Sequence, residues 1–236
     1  MSLTVVLTNY LRTPHLHRVV DGLLKQTVRP TIFVWDNSPK QDFDDPRVSW
    51  IIRSSRNAQC APRWWMAGHA KTDFVLIHDD DLMAIDSRVL AWTLESASKA
   101  APFGVGATGV ILKDGKGYWE SRHVGLRSGH ATADTHVDIL KGCYFCAPTE
   151  ELASLECLAL EEEDDIAVSA LLGKKLVRPH LVAAQLQEYV KFIPQGKEAR
   201  KFRKEHRAAR DAARWRWFGT KESDARAWTG HPVHAP

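Results

Sequence analysis

Three consecutive aspartates, Asp79-Asp80-Asp81, are the residues of this sequence with the clearest capacity for chemistry. They follow an apolar run at residues 74–77, with only His78 between. Adjacent carboxylates repel one another and lose solvation at the edge of a core, so they need a bound cation to neutralise them. Hard oxygen ligands select magnesium or manganese. The triplet therefore predicts a divalent metal site, with a solvated acidic turn as the alternative.

A second acidic run, Glu-Glu-Glu-Asp-Asp, occupies residues 161–165. Apolar residues follow it at helical spacing, at Ile166, Val168, Leu171 and Leu172, so the run falls on the first turn of a predicted helix. Carboxylates in that position gain from the positive end of the helix dipole, which explains part of the run. Five consecutive acids exceed what a helix cap requires.

Parallel βαβ units are expected in the first ninety residues, because short β-rich runs alternate there with helical patterns. We predict strands over residues 3–7, 31–35, 48–52 and 74–77, and helices over residues 16–26 and 61–70. Open α/β sheets bind ligands at the carboxyl ends of their strands. Asp36 follows the second strand, so it should meet the triplet along one sheet edge.

The second half continues the pattern less regularly. We predict a helix over residues 87–99, strands over residues 103–112, 137–147 and 175–177, and a loop over residues 115–135. A loop of that length tends to be a functional lid or disordered. Cys143 and Cys146 stand three apart in a strand and point to opposite faces, which favours core packing over a shared metal. The expected fold class is α/β, with a mostly parallel central sheet flanked by helices.

These residues resemble those of a known group, the nucleotide-sugar glycosyltransferases of the GT-A fold, whose Asp-x-Asp motif follows a buried strand. Within that group the chain is most similar to the exostosin-like glycosyltransferases, which carry a three-Asp motif and, much later, an Asp-Asp-Ile-Ala segment. The corresponding segments are Phe74-Val75-Leu76-Ile77-His78-Asp79-Asp80-Asp81 and Glu163-Asp164-Asp165-Ile166-Ala167. The resemblance covers residues 3 to 185. It implies a Rossmann-like GT-A fold and sugar transfer from a nucleotide diphosphate to an acceptor hydroxyl.

The resemblance also implies roles for the triplet. Asp81 binds the metal directly, while Asp79 and Asp80 hold the ribose and the water shell of the ion, with Asp79 counted as a further metal ligand. The implied cofactor is Mn²⁺ or Mg²⁺, which acts as a Lewis acid on the departing diphosphate. A third metal ligand in this fold is often a histidine, and the candidates are His180, His231 and His234.

The nucleotide pocket implied by the resemblance lies at the ends of the first two strands. Its candidate residues in the first loop are Thr8, Asn9, Tyr10 and Arg12. Asp36 matches the acid that contacts the base or ribose, whereas Tyr10 has the alternative of a simple loop aromatic. The expected donor is a nucleotide-diphosphate sugar, with a UDP-sugar favoured.

Residues 57–65 correspond to the segment where related enzymes place an arginine or asparagine near the nucleotide and donor sugar. Arg63 could pair with a phosphate or with an aspartate of the triplet, since its planar guanidinium suits bidentate oxygen partners. Helical spacing lets only one of Trp64 and Trp65 face the core. The other one covers the surface or stacks on a ligand.

Asp164 and Asp165 are the candidate catalytic residues, because the exostosin-like segment falls on them. The resemblance implies that one of them faces the anomeric carbon and the acceptor hydroxyl. In an inverting enzyme this residue takes the acceptor proton as a general base. In a retaining enzyme, which the exostosin-like match implies, it stabilises positive charge on the sugar ring.

Composition agrees with a folded protein that can bury a sizeable core, since 44% of the 236 residues are apolar and 26% are charged. Disorder, collagen and coiled coil are excluded. Apolar runs are too short for a membrane helix, so no membrane span is expected. Four cysteines do not make a disulfide framework in a chain of this size, and we expect a cytoplasmic protein.

Charge is unevenly distributed. Residues 191–236 hold 12 basic and 5 acidic residues, whereas the preceding residues hold 20 basic and 24 acidic ones. We therefore predict a glycosyltransferase domain over residues 1–190 and a basic helical extension over residues 191–236. Within the domain, residues 1–86 form the nucleotide-binding half and residues 87–190 the acceptor and catalytic half.

The extension predicts a helix over residues 194–218 with a cationic face. The spacing collects six cations there: Lys197, Arg200, Arg203, Arg207, Arg210 and Arg214. Phosphates are the natural partner of such a face, with a solvated helix as the alternative. This favours a hydroxylated base in DNA as the acceptor, over a saccharide, lipid-linked or protein acceptor. A duplex base would have to be flipped out to reach the sugar.

Two other functional classes fit parts of the sequence. A nucleotidyltransferase uses a similar sheet and metal-binding acids, but residues 8–14 lack the glycine expected of its phosphate loop. A nucleic-acid-binding protein without activity is the third class. Hydrolysis of nucleotide sugars with manganese, with and without DNA, separates the three.

Overall fold

The structure, a computed structural model, describes residues 1–126, 128–129, 131–155, 164–174, 176–194 and 203–219, apart from the side chains of residues 203–205. Its strands are β1 (Leu3–Asn9), β2 (Thr31–Asp36), β3 (Trp50–Arg53), β4 (Phe74–His78), β5 (Leu82–Ala84), β6 (Val105–Gly106), β7 (Thr108–Ile111), β8 (Arg122–Gly125), β9 (Thr135–Val137), β10 (Ile139–Leu140), β11 (Tyr144–Pro148), β12 (His180–Val182) and β13 (Val190–Phe192). Its helices are α1 (Thr13–Leu24), α2 (Pro62–Ala67), α3 (Val89–Ala100), α4 (Thr149–Ala153), α5 (Asp164–Gly173), α6 (Ala184–Tyr189) and α7 (Arg203–Phe218).

Within the described residues, eight strands form the main sheet, in the order β3-β2-β1-β4-β11-β6-β12-β9. The four strands β3, β2, β1 and β4 are parallel to one another, and β11 runs antiparallel between β4 and β6. Smaller sheets are β10-β7-β8 and β13-β5. The mainly parallel sheet confirms the predicted α/β class.

Two hydrophobic cores cover the two faces of the sheet. Strand alternation divides the side chains between them, since Val5 and Leu76 lie in one core and Val6 and Ile77 lie in the other. The first core also contains the apolar faces of α1 and α3, and the second contains those of α2 and α5. Burial on both faces explains why β4 is apolar from Phe74 to Ile77.

The predicted strand over residues 103–112 is wrong as a single element. The chain forms β6 in the main sheet and then β7 in a smaller one. Gly106 makes this crossing feasible, because a Cβ there would stand 2.6 Å from the carbonyl oxygen of Tyr144. The predicted strand over residues 137–147 is likewise divided among β9, β10 and β11.

The predicted strand over residues 175–177 is also wrong. The strand in this region is β12, which begins at His180. Residues 177–178 form a bend instead, and the Arg178 N–H donates to Asp138 Oδ1 at 3.0 Å. The predicted loop over residues 115–135 contains β8, which pairs with β7.

The C-terminal helix α7 begins at Arg203 in the described structure, and residues 195–202 of the predicted helix lie outside the described residues. α7 packs against α5 and against the loop before β8. In the described part of the chain, no helix combines the length and apolar character needed to cross a membrane. The predicted domain boundary after residue 190 stays a prediction.

Candidate active site

A cleft of about 1390 Å³ opens at the carboxyl ends of β1 and β4. Its charged and aromatic wall residues include Arg12, Arg63, Asp79, Asp81, Tyr118, Trp119, Lys141, Asp164, Asp165, His206, Arg210 and Arg216. The cleft thus collects Asp79 and Asp81 of the triplet and the Asp164–Asp165 pair. Arg63 and Asp164, which contact each other here, stand 101 positions apart in the sequence. A parallel sheet produces this convergence, because its strands end along one edge.

Arg12 neutralises two aspartates of the triplet. Its Nη1 donates to Asp80 Oδ1 at 2.9 Å and to Asp81 Oδ2 at 3.4 Å. Burial raises the pKa of Asp80 to about 7; Arg12 opposes this shift and Asp79 and Asp81 add to it. The three carboxylates are therefore crowded enough that one of them resists ionisation.

Backbone hydrogen bonds fix the turn that carries the triplet. The Asp79 N–H donates to the carbonyl of Cys143 at 3.0 Å, and the Asp81 carbonyl accepts from the Ile193 N–H at 2.6 Å. The acids are thus tied to the segment before β11 and to the end of β13. A turn held from both sides presents its carboxylates in a defined direction.

Arg63 joins the triplet to the second acidic pair. Its Nη1 donates to Asp79 Oδ1 at 2.7 Å, and its Nε donates to Asp164 Oδ2 at 3.3 Å. The Trp64 indole N–H also donates to Asp164 Oδ2. Burial raises the pKa of Asp164, with Arg63 opposing and Asp165 reinforcing the shift. Both side chains that bind Asp164 therefore come from α2.

Arg210 holds the other acid of the pair. Asp165 Oδ2 accepts from Arg210 Nη2 at 2.9 Å and from the Gly142 N–H at 3.0 Å. Burial alone would raise the pKa of Asp165, but the charge and hydrogen bond of Arg210 and the Gly142 N–H hold it below its ordinary value. Neighbouring carboxylates thus have pKa values pushed in opposite directions, which is a common arrangement at reacting centres.

The first loop contributes less to the cleft than predicted. Asn9 and Asp36 are fully buried, and the Asn9 amide donates to Asp36 Oδ1 at 2.9 Å. Ser38 N–H donates to the same oxygen at 2.9 Å. The pair ties the ends of β1 and β2 together, and the nucleotide-contact role of both residues stays a prediction. Tyr10 is exposed, Thr8 is half-buried, and Arg12 lines the cleft.

His180 does not reach the triplet, which corrects its assignment as the third metal ligand. Its Nδ1 accepts from the Gly104 N–H at 3.1 Å, and its Nε2 donates to the Ser169 carbonyl at 2.8 Å. The ring is fully buried, and burial lowers its pKa to about 4. Both nitrogens are therefore used within the core. His231 and His234 lie outside the described residues.

The predicted cationic face on α7 is also corrected. Arg210 and Arg214 are buried, and Arg214 donates to the Gly219 carbonyl instead of facing solvent. Arg207 is exposed and lies over the ring of Trp119, with its guanidinium carbon 5.4 Å from the ring centroid. Lys197, Arg200 and the side chain of Arg203 lie outside the described structure.

Sequence reasoning missed Gly142, Tyr118 and Trp119. Gly142 gave no signal in the sequence, yet a Cβ there would stand 2.5 Å from Arg63 Nη2. Tyr118 and Trp119 fall in the segment predicted as a loop without periodicity. Their identity as adjacent aromatics in a long loop was the available signal. Helical spacing predicted that only one of Trp64 and Trp65 faces the core, and this residue is Trp64. Trp65 packs against Trp35.

No family model matches the sequence, and no curated protein matches it. Among solved structures, a mannosyltransferase from Pyrobaculum calidifontis, in complex with GDP-mannose and Mn²⁺, superposes with a TM-score of 0.54 at 16% sequence identity. The match covers 90% of this chain and 63% of the mannosyltransferase chain, so this chain spans less than two thirds of that length. At this identity the likeness establishes the fold, which is GT-A-like, as predicted. The exostosin-like resemblance in particular stays a prediction.

Proposed function

We propose that the protein is a metal-dependent glycosyltransferase that moves a sugar from a nucleotide diphosphate to an acceptor hydroxyl. The observation that carries this proposal is the meeting, in one cleft at the sheet edge, of Asp79 and Asp81 with Asp164 and Asp165. The first pair suits a cation, and the second pair suits a reacting sugar. The fold shared with a GDP-mannose-bound mannosyltransferase supports the same reaction class.

The carboxylate oxygens in the cleft suit a magnesium or manganese ion that needs few protein ligands. Within the described residues, no three His, Cys, Asp or Glu side chains come close enough to hold a metal by themselves. Such ions are commonly held by one or two carboxylates and by the phosphates of the substrate. Asp81 and Asp79 would hold the ion together with the donor diphosphate, and the bound ion supplies Lewis-acid stabilisation of the leaving group.

Arg12 and Arg63 suit the remaining charge of the diphosphate. Arg12 is one-third exposed at its side chain and pairs with Asp80 and Asp81, so it stands where phosphate oxygens would approach the acids. Arg63 is nearly inaccessible and bridges Asp79 to Asp164. We propose that Arg12 binds the donor phosphates and that Arg63 fixes the distance between the phosphate end and the sugar end of the site.

Asp165 is the proposed anion at the reacting centre. A carboxylate that stabilises positive charge on a sugar ring must stay ionised, and Arg210 and Gly142 favour the ionised form of Asp165. Asp164 has its pKa raised by burial and would suit a proton acceptor, the role required in an inverting enzyme. We propose retention of configuration with Asp165 facing the sugar, in agreement with the exostosin-like resemblance.

A saccharide is the proposed acceptor. Trp119 is 39% exposed at the cleft, and its indole N–H donates to the Arg207 carbonyl at 3.2 Å, which holds the ring in place. A fixed, exposed indole suits the apolar face of a sugar ring. The DNA acceptor rested on a cationic face, and Arg210 and Arg214 of that face are buried. DNA is therefore kept only as a competing outcome of the test.

The test is a matrix of donors and acceptors with Mn²⁺, read by mass spectrometry of the products. Donors are UDP-sugars, including UDP-glucose, and GDP-sugars, including GDP-mannose; acceptors are mono- and oligosaccharides and hydroxymethylated DNA. The proposal predicts a glycosylated saccharide and the free nucleoside diphosphate. Glycosylated DNA alone would restore the DNA acceptor. A mass increase equal to a nucleoside monophosphate minus water on the acceptor, with release of sugar 1-phosphate, would contradict glycosyl transfer and indicate a nucleotidyltransferase.

A further inference from the structure

Arg210 enters the active site from α7, outside the segment where the catalytic motifs lie. Its side chain is about nine-tenths buried, and Nη2 stands 2.9 Å from Asp165 Oδ2 and 2.9 Å from the Tyr118 hydroxyl oxygen. The guanidinium carbon lies 4.3 Å from the centroid of the Tyr118 ring. One arginine is therefore held by a carboxylate, a hydroxyl and an aromatic face.

Docking of α7 determines whether Arg210 is in place. The Tyr118 N–H donates to Asp211 Oδ1 at 2.7 Å, and the Trp119 indole donates to the Arg207 carbonyl. Gly117 lies against the same carboxylate, because a Cβ there would stand 2.6 Å from Asp211 Oδ1 and would have to displace it. Residues 207 and 211 are one helical turn apart and lie on the same face of α7 as Arg210. The loop that carries Tyr118 and Trp119 therefore binds α7 on this face.

The charge state of Asp165 depends on the placement of Arg210. Several other charged groups also act on Asp165. The titratable groups that influence it are Arg63, Asp164, Arg210, Cys60 and Cys143. Asp164 is a like charge on the next residue, and Arg63 donates to Asp79 and Asp164. Arg210 is thus the arginine whose hydrogen bond goes directly to the Asp165 carboxylate. Removing one partner of a buried pair leaves the other charge uncompensated.

We infer that Arg210 is a positioning residue that orients Asp165 as an anion toward the donor sugar, and that α7 is therefore part of the catalytic apparatus. This inference rests on the proposed function for the role of Asp165. It assigns to Arg210 a function inside the site, in place of contact with nucleic acid. Arg210 acts through Asp165, so its loss should lower turnover more than it weakens donor binding.

The first measurement compares Arg210→Ala with Arg214→Ala in nucleotide-sugar turnover with Mn²⁺. Arg214 is a matched control, because it is also a buried arginine of α7 but bonds Gly219 and lies over Trp215. We expect Arg210→Ala to lower kcat by on the order of a hundredfold or more with KM for the donor little changed. Added guanidinium should raise kcat of Arg210→Ala in a saturable manner and leave Arg214→Ala unaffected. Equal kcat losses in both variants, without rescue, would overturn the inference.

Tyr118→Phe provides a milder variant that keeps the ring and removes the hydroxyl that accepts from Arg210. It should lower kcat by less than Arg210→Ala and leave donor KM unchanged. A wild-type kcat in Tyr118→Phe together with a wild-type kcat in Arg210→Ala would contradict the positioning role. Circular dichroism melting of each variant excludes unfolding as the cause of a loss.

A second measurement does not depend on turnover. Carbon-13 NMR of the aspartate carboxyl groups, with Asp165 assigned from Asp165→Asn, gives the pKa of Asp165 in the folded protein. Removing Arg210 should raise that pKa, and Arg214→Ala should leave it unchanged. An unchanged Asp165 pKa in Arg210→Ala overturns the inference. A raised pKa in a protein that turns over no nucleotide sugar supports the Arg210–Asp165 link and contradicts the proposed function instead.

Discussion

Gly142 lies against Arg63 so closely that a Cβ on residue 142 would stand 2.5 Å from Arg63 Nη2 and 3.1 Å from Asp165 Cβ. Arg63 has little freedom to move away, because it is nearly inaccessible and is bonded to Asp79 and Asp164. The Gly142 N–H meanwhile donates to Asp165. One glycine therefore sets the separation between the arginine that bridges the two acidic pairs and the proposed anion.

Gly142→Ala should impair turnover because it must displace Arg63 or Asp165. We expect a loss of kcat on the order of a hundredfold, since misplacement of a catalytic group by about 1 Å has effects of that size. Steady-state kinetics with a nucleotide sugar and Mn²⁺ provide the measurement.

The control is Gly22→Ala on α1, where the nearest atoms to a Cβ lie 3.9 Å away. Gly22→Ala should keep full activity and add about 0.5–1 kcal/mol to the free energy of unfolding. Full activity in Gly142→Ala would show that the site tolerates movement of these groups.

Asn substitutions distinguish the two acids of the pair. Asp165→Asn should lower kcat by at least about a hundredfold with little change in donor affinity, because the negative charge that stabilises the sugar is lost. Asp164→Asn should be tolerated better, since the amide still accepts hydrogen bonds from Arg63 and Trp64. The anomeric configuration of the product is measured in parallel by proton NMR. Inversion, with Asp164→Asn as the more damaging change, would reassign the catalytic role to Asp164.

Trp119→Ala tests the acceptor platform. Loss of the indole should raise the acceptor KM by about tenfold, the equivalent of an aromatic contact worth about 1.4 kcal/mol, and leave the donor KM unchanged. Trp215→Ala is the matched control, because Trp215 is a similarly exposed tryptophan on α7 that does not line the cleft. Saccharide titrations of both variants give the comparison. An unchanged acceptor KM in Trp119→Ala would place the acceptor elsewhere.

Local patterns were enough to predict β1, β2, β4 and the acidic ends of the parallel sheet. β2 and β4 each contain four consecutive apolar residues, β1 is apolar from Val5 to Leu7, and topology then brings their carboxyl ends to one edge. The run over residues 103–112 is also largely apolar, but its glycines let the chain pass from one sheet to another. A single sequence does not contain the backbone neighbours that decide between these outcomes.

The predicted site was incomplete for a related reason. Arg210 stands at helical spacing from other cations, which is also the pattern of a solvated face, and its partner Asp165 is 45 positions away. Nothing local distinguishes an arginine that enters a cleft from one that faces solvent. His180 shows the opposite error, because a histidine near a strand end is a plausible metal ligand until its two ring nitrogens are seen to bond the backbone.

We propose that Asp81 and the donor diphosphate share a divalent cation, and Mn²⁺-dependent release of nucleoside diphosphate by wild type and Asp81→Ala tests this directly. Asp73→Ala is the control, because Asp73 lies beside the opposite end of β4 and bonds Ser2. A shared cation predicts release of nucleoside diphosphate from at least one UDP- or GDP-sugar by wild type and by Asp73→Ala, and loss of this release in excess chelator and in folded Asp81→Ala. Undiminished release by Asp81→Ala, or full release in chelator, would contradict it.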